Sequence, residues 1–159
     1  GAKKAPKDYQ FDCGAIEVKS SRAAIPDKIA ISNVRQLDSE GMRKMFLVVV
    51  HLNSNEVTGE TLPELIDSLD CALREDARAL LVLGLREVGY LVEHREKYVH
   101  TRYQVLGVHH FLVFGAFPCL TRATVPDGVK SVSYEISFDA CREFAVDSDR
   151  LRAALRGSS

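Results

Sequence analysis

The hydrophobic pattern changes period several times along the chain. DYQFDCGAIEVKSS alternates and reads as two short strands around a turn at Cys13-Gly14, and KIAIS adds a third strand. SNVRQLDSEGM predicts a short helix with Ser32 as its N-cap and Gly41 as its stop. Met45 to Leu52 (MFLVVVHL) is almost continuously apolar, the pattern of a strand covered on both faces. In TLPELIDSLDCAL, Thr61 and Glu64 have capping-box spacing, and Pro63 suits a first turn. Leu62, Leu65, Ile66, Leu69 and Leu73 repeat at helical spacing, and a second helix is predicted from Glu75 to Val88 with Gly89 as its stop. Both leucine-rich faces are read as core packing. TRYQVLGVHHFLVF, CLTRATV and SVSYEISF then read as strands, DACREF as one turn, and DSDRLRAALR as a terminal helix capped by Ser148. The order β-β-β-α-β-α-α-β-β-β predicts an α/β class, with α+β as the alternative. It implies a mixed central sheet flanked by helices in a single domain over 1–159.

Composition narrows the picture only a little. The 159 residues suit one core, and 46% hydrophobic with 27% charged residues is ordinary for a globular protein. Net charge is −1, but residues 1–45 hold nine Lys/Arg against six Asp/Glu, whereas 46–100 hold five against ten. The front of the chain therefore suits an anionic partner. The four cysteines are far apart and show no zinc spacing, so they read as free thiols of a cytoplasmic protein. The five histidines form no ligand motif. No apolar run is long enough to span a bilayer. The ends, 1–7 and 157–159, are expected to be disordered.

The candidate chemistry lies in Ala15 to Ser20. On a strand, Glu17 and Lys19 share one face, with Cα atoms about 6.6 Å apart, while Ile16 and Val18 share the other. A turn at Cys13-Gly14 would oppose Gln10 to Glu17 and Asp8 to Lys19, gathering Asp8, Gln10, Glu17 and Lys19 in one patch. Either Asp8 or Asp12 would then lie diagonal to Glu17, and geometry alone leaves both open. Two such carboxylates can hold one Mg²⁺, and the Val18 carbonyl can be a further ligand. A cation there offsets phosphate charge and activates water, and a lysine can stabilise developing negative charge. The plain alternative is a surface ion pair. Ser20 and Ser21 read as local hydrogen-bonding groups. Arg22, Lys28 and Arg35 could meet phosphates.

Asp8 followed by Glu17-Val18-Lys19 resembles the PD-(D/E)XK nuclease superfamily, whose pattern is an Asp on one hairpin strand and Glu-x-Lys on the next. Pro6 echoes the "PD" but stands two residues before the aspartate. The longer series DYQFDCGAIEVKSS, KIAISNVRQLD, FLVVVHL, TLPELIDSL and FPCLTRATVPDGVKSVSYEIS is similar to one bacterial family of that superfamily. That family is known from gene neighbourhoods with DNA methyltransferases, other nucleases and ATPases in restriction-like phage-defence clusters. The resemblance implies a restriction-endonuclease-like core and favours Asp8 over Asp12. It implies Asp8, Glu17 and the Val18 carbonyl as ligands of Mg²⁺ or Mn²⁺, Lys19 as the catalytic lysine, and Gln36 as a site residue on the following helix. DNA is the implied partner, with other defence subunits or a second copy beside it.

One departure stands out. The superfamily core opens with a helix before the Asp strand, yet seven residues precede Asp8. The chain is therefore expected to be the C-terminal part of a longer protein, or to take that helix from another chain. Two functions follow: a Mg²⁺-dependent endonuclease subunit, or a catalytically inactive module of the same fold for DNA binding or subunit assembly.

Overall fold

The computed structural model describes residues 7–11, 14–22, 27–55 and 57–157. The chain divides into two compact units, residues 1–51 with 106–159, and residues 52–105.

The first unit is built on a mixed α/β fold. Strands β1 (Tyr9–Phe11) and β2 (Gly14–Ser21) form an antiparallel hairpin, and β2 runs parallel to β4 (Lys44–Asn55). Next to β4 lies β6 (Arg102–Leu112), which also pairs antiparallel with the short β8 (Ala145–Val146). A separate two-stranded ribbon joins β3 (Lys28–Ile31) to β7 (Tyr134–Ser137), which leads into one turn of helix, α3 (Phe138–Cys141).

The apolar run of β4 is covered on both faces, as its pattern predicts. On one face Met45, Leu47 and Val49 join Ala15, Ile29, Ile31, Leu37, Phe111 and Ile136 in the larger core. On the other, Phe46 and Val48 meet Ile16 and Ala154 of the terminal helix α4 (Ser148–Leu155). A helix thus flanks one face, while the β3–β7 ribbon flanks much of the other.

Several local predictions shift. The hairpin register is Tyr9↔Ile16, Gln10↔Ala15 and Phe11↔Gly14, two residues away from the predicted pairing. Gly14 belongs to β2 rather than to the turn, at a position where a side chain would strike the carbonyl of Lys44. SNVRQLDSEGM makes only a 3₁₀ turn at Val34–Gln36, capped by the Asn33 side chain rather than Ser32. CLTRATV is a loop with a 3₁₀ turn at Arg122–Thr124, not a strand. Asp147, not Ser148, caps α4, its carboxylate accepting from Arg150 N–H at 2.7 Å.

In the second unit, β5 (Glu60–Thr61) pairs antiparallel with the start of β6 and leads into α1 (Leu62–Ala72). The predicted capping box is present: Thr61 Oγ1 accepts from Glu64 N–H, and the Glu64 carboxylate accepts from Thr61 N–H at 2.8 Å. Arg102 forks onto that same carboxylate and also donates to the Gly59 carbonyl. Thr61→Ala is expected to cost about 1 kcal/mol, read as a lower midpoint in urea unfolding. Helix α2 (Glu75–Glu87) ends before Gly89, whose φ of 85° suits only glycine. The leucine faces do not pack as predicted: Leu65, Leu69, Leu80 and Leu83 are exposed and join neither core.

Candidate metal and phosphate site

Even with the register shifted, parity is kept. A slip of two residues leaves every side chain on its predicted face. Extending the observed pairing by one residue sets Asp8 opposite Glu17. Asp8 is held there by its own carboxylate, whose Oδ2 accepts from the Val18 N–H at 2.8 Å. Asp12 lies outside the described residues.

Glu17 is 1% exposed, on the same face as Ala15 and above the larger core. The Lys19 ammonium lies 3.0 Å from its Oε1, outside hydrogen-bonding geometry. Among the described residues, Oε1 is thus buried with a charge beside it and no hydrogen bond to it. Burial is the main cause that raises the Glu17 pKa; Lys19 and the Asp8 backbone pull it down, and the Asp8 carboxylate adds to the rise. Burying a carboxylate is costly, and the Lys19 ammonium 3.0 Å from Oε1 offsets only part of that cost, since the pKa stays raised. A carboxylate oxygen is also a ligand that a hard cation takes.

Lys19 also borders an open hollow of about 460 Å³, with Ser20, Ser21, Asp27, Lys28 and Glu135 on its walls. Lys28 is already paired with Glu135 at 2.9 Å. Gln36 does not sit on a long helix. Its side-chain oxygen accepts from Ser32 N–H at 2.8 Å and closes its own turn. Glu17 and Lys19 are brought together as the sequence predicts, with Asp8 opposite them in the register. Gln36 is engaged in its own turn instead.

A buried lysine was not legible in the sequence. Lys7, read as the end of a loose leader, is 5% exposed. Its Nζ donates to the carbonyls of Arg35 and Asp38, at 2.5 and 2.7 Å. Burial lowers its pKa, while the charges of Asp38 and Glu17 raise it. Asp38 is buried too and pairs with Arg122 at 3.2 Å. Burial pushes the Asp38 carboxyl up, but hydrogen bonds from Glu40 N–H and Arg122 outweigh it and leave the pKa lowered. This Lys7–Asp38–Arg122 chain anchors the backbone immediately before Asp8.

Residues 1–139 match the model of a family described as "Putative PD-(D/E)XK family member, (DUF4420)". The chain belongs to this family. The match takes in Asp8, Glu17, Lys19 and Gln36, and it fits the mixed α/β fold around them. Neither the curated proteins nor the solved structures contain a match to the chain. PD-(D/E)XK folds are nuclease-type folds, and the family usually uses a divalent metal. Among the described residues no helix is long and apolar enough to cross a membrane.

Proposed function

We propose that the chain carries out divalent-metal-dependent hydrolysis of DNA phosphodiesters, as the endonuclease subunit of a restriction-like or phage-defence system. The observation that carries this reading is the buried Glu17 carboxylate, with the Lys19 ammonium 3.0 Å from its Oε1 and Asp8 opposite it in the register. Asp8 and Glu17, with the Val18 carbonyl, would hold Mg²⁺ or Mn²⁺. When bound, the ion would offset phosphate charge and lower the pKa of a water.

The protein's own groups supply the rest. Pairing to β4 and the buried core fix Glu17, so its carboxylate needs little reorganisation. The Val18 N–H holds Asp8 in place. Lys19 stands between the carboxylate and the open hollow, where its ammonium can meet a phosphate oxygen or orient water. Gln36 enters only through its amide nitrogen, since its oxygen is taken by Ser32. Arg22 is exposed and can contact phosphate from outside.

Lys19→Met is the test of roles. It is expected to lower cleavage of supercoiled plasmid by about a hundredfold or more, the scale of removing one preorganised charge. Mn²⁺ binding should persist, because the carboxylates remain. Full cleavage by Lys19→Met would remove the lysine from the chemistry.

The exposed leucines of α1 and α2 favour a second reading, in which the fold serves subunit assembly without catalysis. A folded chain that binds metal yet leaves plasmid intact would support it.

A further inference from the structure

A second hollow, of about 310 Å³, lies in the first unit at the start of β4 and the end of β6. Arg43, Lys44 and Arg150 line it, with Ser39 on the wall and Met45 and Val113 among its apolar residues. Lys28, Arg95, Arg102, Arg122, Arg142 and Arg152 each pair with an acid. Arg43, Lys44 and Arg150 form no ion pair among the described residues. Three such cations around one concavity, in a chain of net charge −1, favour an anion there. Glu143 lines an adjoining hollow with Arg150, and the Asp147 carboxylate accepts from the Arg150 N–H at 2.7 Å.

At the rim stands Phe114, 73% exposed. It opens a tight turn in which Phe117 N–H donates to the Phe114 carbonyl, while Phe117 itself packs inward on Phe144 with ring centres 5.1 Å apart. The preceding Val113 N–H is held by the Met45 carbonyl at 2.8 Å. A bare aromatic ring on an anchored turn, beside three cations, has the makings of a platform for an unpaired base.

We propose that this hollow binds a nucleotide, with its phosphate on Arg43, Lys44 and Arg150 and its base stacked on Phe114. The site is separate from Glu17. In the parallel register Lys44 stands opposite Gly14 and Val49 opposite Lys19, so the two levels are about 17 Å apart along the strands. Lys44 shares the face of Phe46 and Val48, on which α4 with Arg150 packs, whereas Lys19 shares the face of Ala15 and Val49. The hollow would therefore take a DNA strand or a free nucleotide independently of Lys19.

The test is fluorescence anisotropy with a labelled short oligothymidylate in chelator, where nothing is cleaved. Failure of the nuclease reading would leave this measurement unaffected. The double variant Arg43→Ala/Arg150→Ala should weaken binding at least tenfold at low salt and flatten the salt slope by roughly 0.7 for each phosphate no longer neutralised. Phe114→Ala should weaken it at least about fivefold. Lys130→Ala, an exposed cation elsewhere, should change little. Competition by thymidine monophosphate at similar concentrations would assign the site to free nucleotides; oligothymidylate binding without such competition would assign it to a strand. Thermal melting verifies folding, and Arg43→Ala alone serves if the double variant melts early. Unchanged oligothymidylate binding in both the arginine and Phe114 variants, or no binding of either probe to the parent, would overturn the proposal.

Discussion

Glu17→Gln is expected to abolish metal-dependent DNA cleavage while leaving the protein at least as stable as the parent at neutral pH. The two effects have one cause. Glu17 is buried, and burial raises its pKa. Over the range between the ordinary glutamate value and the raised one, the folded chain keeps a proton that the unfolded chain has released. Stability therefore falls as pH rises through that window, and the cost persists above it. Glutamine removes the titration, so the dependence on pH should flatten. Breaking a buried ion pair often costs about 3–5 kcal/mol because a charge is left behind. Here the charge left behind is Lys19, whose side chain is 17% exposed and can turn its head to water. Cleavage should fall at least about a hundredfold. Urea unfolding of both proteins from mild acid to neutral pH, beside a plasmid assay, checks both halves. A variant that is much less stable at neutral pH and keeps its activity would show that Glu17 is only a structural ion-pair partner.

Gly14→Ala is expected to damage the β2–β4 pairing severely. An added Cβ would lie 2.1 Å from the Lys44 carbonyl oxygen and 3.0 Å from Cζ of Phe11. The oxygen belongs to the backbone of the neighbouring strand, so relief requires β2 and β4 to part. Destabilisation of about 3 kcal/mol or more should follow, and metal binding should weaken, since Glu17 lies three residues along the same strand. Gly84→Ala is the natural control. Gly84 lies within α2 with nothing within 4 Å of an added Cβ, and the change should stabilise by about 0.5–1 kcal/mol. Equal urea midpoints for the two variants would contradict the close β2–β4 approach.

Sequence reasoning did best where the signal is local. The Thr61/Glu64 box, the end of α2 before Gly89 and the two-sided burial of β4 each depend on residues within one or two turns or one strand. The shared face of Glu17 and Lys19 is local too, because strand parity survives a register shift of two. The register itself was not legible. Gly14 looks like a turn residue, but its role is set by Lys44, thirty positions away. The burial of Lys7 has the same origin, since its acceptors are the carbonyls of Arg35 and Asp38. The leucines of α1 and α2 carry a clean helical period, yet a period says which face is apolar and not what covers it. Gln36 fits the family's spacing, but Asn33 and Ser32 make that segment a short capped turn.

The central claim is that Asp8 and Glu17 together form a metal site that cuts DNA. The most direct measurement is calorimetric titration of Mn²⁺ into the parent, Asp8→Asn and Glu17→Gln, with cleavage of supercoiled plasmid followed on the same samples. The predicted result is one ion per chain and metal-dependent cleavage in the parent, with both absent from each variant. A well-folded parent that binds no Mn²⁺ and leaves plasmid intact would contradict the claim and leave Glu17 and Lys19 as an ion pair.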